Sequence, residues 1–264
     1  AIAAYPELGC NPDKPIDVWT RWGVCADIYN PSDQTIQFLQ DVLVEVMDLF
    51  PSEFIHIGGD EAIKDQWKAS PVVQARIKEL GLKDEHEMQS WFIKQMDTFL
   101  AKHGRRLIGW DEILEGGLAP GATVMSWRGE KGGITAAKAG HDVVMAPTSN
   151  TYLDYYQGPP ETEPLAIGGS LPLKKVYDYE PIPESLTEEE GKRVLGAQGQ
   201  LWAEYFPFPR HVEYMAFPRA VALAEVVWSP KSAKNYEGFL VRLRQHLARL
   251  QAMDMNYRPL DETP

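Results

Sequence analysis

The stretch Phe54-Ile-His-Ile-Gly-Gly-Asp-Glu61 joins a short apolar run to two glycines and two carboxylates. Phe54 to Ile57 are predicted to form a short buried strand. The glycines allow backbone angles that other side chains forbid. They can bend the chain so that Asp60 and Glu61 reach one site at the strand's carboxyl end, although neighbouring residues on a regular strand face opposite ways. The alternative is that Asp60 only caps a following helix.

The composition is that of an ordinary globular protein. The chain has 264 residues, of which 44% are hydrophobic and 24% charged, which suits one α/β domain with a large core. The net charge of −12 makes nucleic acid an unsuitable partner. No apolar run approaches the roughly 18 to 20 residues of a membrane span, and no signal peptide is visible.

Two cysteines, Cys10 and Cys25, stand in a loop-rich stretch before the first strand. They have no nearby Cys or His partners of the kind a zinc site needs. A disulfide in an exported protein and two free thiols are both compatible with the sequence.

Apolar periodicity and breaker residues predict the helices. Pro31-Ser32-Asp33 starts an amphipathic helix whose inward face runs to Phe50, and Pro51 ends it. Further helices are expected over 85–103, 133–139, 212–227 and 236–253. A loop with one short helix is expected over 64–82, and an irregular segment over 147–184.

Five strands are predicted between these helices, over 54–57, 106–110, 123–127, 142–146 and 194–202. Strands that alternate with helices indicate parallel βα units. In a β/α barrel the chemistry lies at the carboxyl ends of such strands, which is where Asp60 and Glu61 stand.

The stretch 54–61 resembles the HxGGDE signature of the β-N-acetylhexosaminidases, glycoside hydrolase family 20. Later segments match further motifs of that family in order: Gly109-Trp-Asp-Glu112, Ser126-Trp-Arg-Gly129, Tyr152-Leu-Asp154 and Gln200-Leu-Trp-Ala-Glu204. The resemblance runs from the first residues to about Pro230.

The resemblance implies a (β/α)8 TIM barrel, to which this chain supplies about strands four to eight. Residues 1–264 are then the C-terminal two-thirds of a glycosidase catalytic domain. We expect the first three strands on a second chain or in a longer protein, because the outer strands would otherwise present unpaired edges.

The resemblance also implies the chemistry. Family 20 enzymes are substrate-assisted, so the 2-acetamido oxygen of the sugar attacks the anomeric carbon and forms an oxazolinium intermediate with net retention. Glu61 is expected to be the general acid/base and Asp60 the group that holds the acetamido N–H. Tyr152 is expected to donate to the acetamido carbonyl. Glu61 needs a pKa raised by burial or by a neighbouring carboxylate, whereas Asp60 must stay ionised.

By the same resemblance, Trp110, Trp127 and Trp202 line the acetamido pocket, and Asp154 and Glu204 bind sugar hydroxyls. Each has a structural alternative. A tryptophan at a strand end is often simply core, and Glu204 could pair with Arg210 on the surface.

Three further residues are secondary candidates. His56 could tune Asp60 or Glu61, although a hydrogen-bonded core histidine is the favoured interpretation. Asp111 and Glu112 follow Trp110 and could contact the sugar or brace loops.

Three other functions fit parts of the sequence. His56, Asp60 and Glu61 are plausible metal ligand types, but no metal-binding spacing supports them, and the family uses neither metal nor cofactor. An inactive or incomplete N-acetylglucosamine-binding module would not require the acid/base pair. A retaining glycosidase with a carboxylate nucleophile would act on sugars that lack the acetamido group.

The sequence therefore predicts an exo-acting β-N-acetylhexosaminidase. Its substrate is expected to be a glycan or small glycoside with a terminal β-linked N-acetylglucosamine or N-acetylgalactosamine, as in chitin degradation. A secreted or periplasmic location suits that substrate.

Overall fold

A computed structural model describes residues 1–260. It contains five strands, which confirms the predicted number. Their bounds are β1 Phe54–His56, β2 Arg106–Trp110, β3 Thr123–Ser126, β4 Val143–Met145 and β5 Val194–Ala197. The chain divides into two compact units, residues 1–125 (the first unit) and the residues from 126 onward (the second unit).

Eleven α-helices are found in the described part of the chain. Those of the first unit are α1 Asp33–Leu49, α2 Asp65–Ala69, α3 Pro71–Glu79 and α4 Glu85–Lys102. Those of the second are α5 Lys131–Lys138, α6 Thr148–Thr151, α7 Leu173–Asp178, α8 Glu188–Gly191, α9 Pro209–Ala216, α10 Arg219–Trp228 and α11 Tyr236–Ala252. Short 3-10 helices cover Pro6–Leu8, Asp111–Leu114, Pro160–Thr162 and Lys231–Ala233.

The strands follow one another in chain order and are parallel where their registers are given. In the first unit Phe54 pairs with Arg106, and Ile108 pairs with Thr123. In the second unit Val143 pairs with Val194, with an irregularity after Val143. Parallel strands separated by helices are the βα arrangement of part of a TIM barrel, so the predicted fold class is confirmed.

Helix starts in the first unit follow the capping signals in the sequence. The Ser32 hydroxyl accepts the Thr35 N–H at 3.2 Å, and Asp84 caps α4 in the same way. Met88 on α4 packs with Trp67, Val73 and Ile77 in a buried cluster. This cluster packs α2, α3 and α4 against one another.

Two predictions for the first unit need correction. The segment 64–82 holds two helices, α2 and α3, because the Ser70 hydroxyl caps α3 and Pro71 occupies its first turn. The face of α1 predicted to be inward is only partly buried. Ile36 and Met47 are buried, but Phe50 is 61% exposed.

The core of the second unit gathers side chains from α7, α10 and α11. Tyr177, Leu223, Phe239 and Leu243 belong to this buried cluster, and Tyr177 stacks on Phe239 with ring centroids 4.7 Å apart. Leu153 belongs to the same cluster, so the core supports the segment that carries two predicted site residues.

Three predictions for the second unit need correction. The last strand ends at Ala197 and not at 202, and beyond it Gln200 forms only an isolated parallel bridge with Tyr152. The predicted helix 212–227 is two helices, α9 and α10, because Pro218 has no N–H to continue the ladder. The irregular segment 147–184 contains α6 and α7.

Both cysteines are free thiols in this structure. The Cys10 sulfur lies 3.8 Å from the Ile28 carbonyl, and burial raises the pKa of Cys10 to about 11. The Cys25 sulfur lies 3.7 Å from a carboxylate oxygen of Asp27. Among the helices of the described chain, none is long and apolar enough to span a bilayer.

Candidate active site

The glycine pair after β1 makes a turn that only glycine fits. Parallel pairing continues past the strand, since the Trp110 N–H donates to the Gly58 carbonyl at 2.9 Å. Gly58 and Gly59 then take φ of +74° and +92°. A Cβ on Gly59 would stand 2.7 Å from a methyl carbon of Ile113, closer than real contacts allow. The turn therefore sets the place of the two carboxylates that follow.

Asp60 and Glu61 follow this turn and line a cavity of about 1140 Å³ within the first unit. Glu61 has φ +51°, a conformation that is uncommon for residues other than glycine. Such outliers cluster at functional sites, where the surrounding structure enforces them. The alternative role for Asp60 as a helix cap is wrong, because α2 begins at Asp65 with Lys64 at its N-cap.

Exposure differs between the two carboxylates. Asp60 is half-buried, whereas Glu61 is exposed. The burial expected to act on the Glu61 carboxyl is therefore not found in this structure.

His56 braces the glycine turn. Its Nδ1 accepts the Gly58 N–H at 3.0 Å, and its ring meets the edge of Trp110 with centroids 4.8 Å apart. Partial removal from water lowers the pKa of His56, and the charge of Asp60 opposes this shift. The side chain is exposed, so the favoured interpretation as a core histidine is wrong.

The carboxyl end of β2 carries the other predicted residues of the first unit. Trp110, Asp111 and Glu112 are all buried, the last two in a 3-10 turn. The Glu112 carbonyl accepts the Gln89 side-chain amide at 3.2 Å, which ties this turn to α4. Asp111 and Glu112 thus stand where strand-end residues of a barrel carry chemistry.

Tyr152 is placed by backbone pairing in the second unit. It forms an isolated parallel bridge with Gln200. The Leu153 N–H donates to the Gln200 carbonyl at 2.7 Å, and the Gln200 N–H donates to the Thr151 carbonyl at 2.8 Å. The buried Tyr152 therefore lies beside the chain that leads to Trp202.

Asp154 is a buried carboxylate whose chemistry is set by its surroundings. It is 2% exposed, and its Oδ1 has no hydrogen-bond partner among the described residues. Burial raises the pKa of Asp154 to about 6. The charge of Glu204 adds to the rise, and that of Arg219 opposes it. An unsatisfied buried acceptor is costly, and a ligand hydroxyl would satisfy it.

The remaining predicted residues of the second unit are more open. Trp127 is half-buried, and its carbonyl accepts the Thr148 N–H at 3.0 Å. Trp202 is 43% exposed. Glu204 is also exposed, and its alternative pairing with Arg210 is not found, because Arg210 pairs with Asp254 at 3.3 Å.

Sequence reasoning missed Arg219, which contacts the segment that carries two predicted site residues. Arg219 is fully buried against the segment that holds Tyr152 and Asp154. A charged residue inside the apolar run 217–227 was the available signal. Within residues 1–260, no group of three or more His, Cys, Asp or Glu side chains is placed to hold a metal ion.

Comparison with known proteins defines the class. The model of the glycosyl hydrolase family 20 catalytic domain matches residues 1–231. The chain belongs to this family.

Individual relatives agree with this assignment. The chain is 52% identical to a beta-hexosaminidase of Porphyromonas gingivalis, over all of this chain and 34% of that protein. It is 39% identical to a beta-hexosaminidase of Vibrio furnissii, over 85% of this chain and 37% of that one. Its fold is similar to the exo β-N-acetylglucosaminidase of Vibrio harveyi solved with N-acetylglucosamine. That alignment has a TM-score of 0.80 and 35% identity, and it covers 88% of this chain and 37% of that one.

The chain is shorter than its relatives. It spans about a third to a half of the length of the curated relatives it matches. The comparisons show the family and the barrel fold of this chain.

Proposed function

We propose that the protein containing this chain is an exo-acting β-N-acetylhexosaminidase that uses substrate-assisted catalysis. One observation carries the proposal. The Gly58-Gly59 turn at the end of β1 presents Asp60 and Glu61 side by side on the wall of a large cavity, in a chain of a glycoside hydrolase family. Similarity to a solved structure that holds N-acetylglucosamine supports the choice of sugar.

Glu61 acts first as an acid and then as a base. The substrate's acetamido oxygen attacks the anomeric carbon as the glycosidic bond breaks, and the leaving oxygen takes the proton of Glu61. Glu61 then takes a proton from water, which attacks the same carbon and reopens the oxazolinium ring with net retention. Each proton transfer of this kind contributes about 10²–10⁴-fold to the rate.

Asp60 stabilises the positive charge that develops on the acetamido nitrogen. An ionised carboxylate beside that N–H stabilises the oxazolinium-like transition state more than the ground state. Tyr152 orients the acetamido carbonyl for attack by donating a hydrogen bond from its hydroxyl group.

The other residues bind the sugar. Trp110, Trp127 and Trp202 supply apolar faces for the acetamido methyl group and the ring. Asp154 accepts from a sugar hydroxyl, which would satisfy its orphaned Oδ1. Glu204 contributes a second carboxylate for hydroxyls.

The test compares two chromogenic β-glycosides that differ only at position 2, one with an acetamido group and one with a hydroxyl. We expect turnover of the acetamido substrate alone, since the hydroxyl substrate has no internal nucleophile. Equal turnover of both would favour a carboxylate nucleophile instead. Binding of N-acetylglucosamine without any turnover would favour the binding module.

A location outside the cytoplasm, where such glycans are found, is part of the same proposal. Retention of the protein in the cytoplasm on cell fractionation would count against it.

A further inference from the structure

Arg219, the first residue of α10, is a fully buried arginine. Arginine stays charged in proteins and is almost never fully buried without partners. Its two Nη atoms donate to four main-chain carbonyls, whose acceptors are Tyr155 and Leu171, both at 2.9 Å, Met215 at 2.8 Å, and Leu153. Two of these acceptors, Leu153 and Tyr155, are the neighbours of Asp154 on either side.

The segment held in this way has little regular structure of its own. The helix α6 ends at Thr151, and the isolated bridge of Tyr152 with Gln200 follows. The Arg219 guanidinium donates to the carbonyls of residues 153 and 155. Leu153 itself packs in the buried cluster with side chains of α10 and α11. Fixing these two carbonyls fixes the backbone from which Tyr152 and Asp154 project.

Arg219 also acts on Asp154 through space. The structure records no direct ion pair between the two side chains among the described residues, yet the guanidinium lowers the pKa of Asp154 against the larger effect of burial. Burial lowers the pKa of Arg219 itself to about 9, and the charges of Asp154 and Glu163 oppose this shift. Arg258 and Tyr214 also face Arg219, and Glu204 and Tyr155 face Asp154.

We infer that Arg219 is a positioning residue that holds the backbone on both sides of Asp154 so that Tyr152 and Asp154 meet the sugar in fixed places. Its charge has a second effect, which is to keep Asp154 ionised at lower pH than burial alone would allow. The inference rests on the proposed function, since the positions matter only if those side chains bind substrate.

The test uses Arg219→Met and Arg219→Lys in the full-length protein, with Arg244→Met on the exposed face of α11 as the matched control. For each, kcat and KM on p-nitrophenyl N-acetyl-β-glucosaminide are measured per folded molecule over a range of pH. Misplacing a site residue by about 1 Å can cost about 10²-fold, so we expect kcat/KM to fall by about that much in both Arg219 variants. The control should match the wild type.

The pH profile separates positioning from simple support of the fold. In Arg219→Met the acidic limb of the kcat/KM profile, which Asp154 is expected to control, should move to higher pH. The reason is that the positive charge that lowers the pKa of Asp154 is gone. In Arg219→Lys the charge remains, so the limb should stay near its wild-type place while kcat/KM still falls. Wild-type kcat/KM and an unmoved limb in the folded Met variant would overturn the inference.

Hydrogen exchange gives a readout that does not need activity. Amides of 151–157 should exchange faster in both Arg219 variants than in the wild type, while those of α11 stay unchanged. If Arg219→Met does not fold, Arg219→Lys decides by the same two readouts. If the wild type hydrolyses no substrate, the proposed function fails. The positioning role is tested separately, because it is overturned if the amides of 151–157 exchange at the same rate in the Arg219 variants as in the wild type.

Discussion

At the scale of single residues, Asp60 and Glu61 occupy neighbouring positions with different surroundings. Asp60 is half-buried and lies within the electrostatic reach of His56, while Glu61 stands at a positive φ and is exposed. Adjacent carboxylates can take opposite roles in one reaction only if their environments differ. In this structure Asp60 is the more buried of the two, whereas the acid role assigned to Glu61 calls for burial of Glu61 or for a neighbouring carboxylate.

Replacing Asp60 by Asn should slow formation of the oxazolinium ion while leaving sugar binding largely intact. The amide keeps the shape of the carboxylate but cannot offset the positive charge that develops on the acetamido nitrogen. We expect kcat to fall by about 10²-fold or more, as for loss of one preorganised group in other enzymes, with little change in KM. A fall confined to KM would contradict the assigned role.

Asp154 gives a prediction for pH. Its pKa is raised to about 6, so the carboxylate that accepts a sugar hydroxyl forms only as the pH rises through that value. We expect kcat/KM to increase with pH through this window, and Asp154→Asn to remove that limb and to lower kcat/KM at pH values above it. The measurement is a pH–rate profile of both proteins.

The same group affects stability with a definite sign. Because the pKa is raised on folding, the folded state holds the proton more tightly than the unfolded chain does. The free energy of unfolding should therefore fall as the pH rises through about 6, and less so in Asp154→Asn. If the free energy of unfolding had the same pH dependence in the wild type and in Asp154→Asn, that result would contradict the burial of this carboxyl.

Single residues also show where sequence reasoning ends. Asp60 and Glu61 could be predicted because local chemistry, two glycines after an apolar run, places them. Arg219 could not, because its carbonyl partners at 153, 155 and 171 lie 48 to 66 residues away in the chain. Nothing in the composition of a helix start indicates which distant backbone it will contact.

At the scale of elements, the turn after β1 depends on the absence of a side chain. Gly59→Ala adds a Cβ at positive φ and only 2.7 Å from Ile113. We expect a loss of about 2–5 kcal/mol in the free energy of unfolding, from roughly 1–2 for the left-handed conformation and about 1–3 for overpacking. Urea unfolding of the variant measures it.

Gly81→Ala is the matched control for this prediction. Gly81 also has positive φ, +67°, but a Cβ there meets nothing within 4 Å. The Gly81→Ala variant should therefore lose only the roughly 1–2 kcal/mol that the left-handed conformation costs. Equal losses in the two variants would mean that the contact with Ile113 does not restrict the turn.

Element boundaries were predictable where capping or breaker residues mark them. Ser32 and Asp84 begin α1 and α4 as the sequence indicates. The end of β5 was misplaced because parallel contacts continue past Ala197 only as an isolated bridge between Gln200 and Tyr152, which depends on a distant segment of the chain. The break between α9 and α10 falls at Pro218, inside the predicted range 212–227.

At the scale of the whole molecule, we propose that residues 1–264 are the C-terminal two-thirds of a barrel domain. The relatives are two to three times longer, and the end of α1 leaves large apolar side chains in water. Leu49, its last residue, is 74% exposed, and Phe50, the next residue, is 61% exposed. Apolar surface of this kind favours association.

This proposal predicts the behaviour of the isolated chain. Produced alone, it should associate or aggregate in place of forming a stable monomer of 29.8 kDa. Light scattering during size-exclusion chromatography measures the mass. A stable monomer of 29.8 kDa that hydrolyses substrate would contradict the need for further strands on a longer or second chain.

The most direct test of the central claim is release of p-nitrophenol from its N-acetyl-β-glucosaminide by the full-length protein and by its Glu61→Gln variant. The wild type should turn the substrate over, and the variant should be slower by about 10²–10⁴-fold because it has no proton to donate. Wild-type turnover in a folded Glu61→Gln variant would contradict the assignment of Glu61 as the acid, and with it the account of the site.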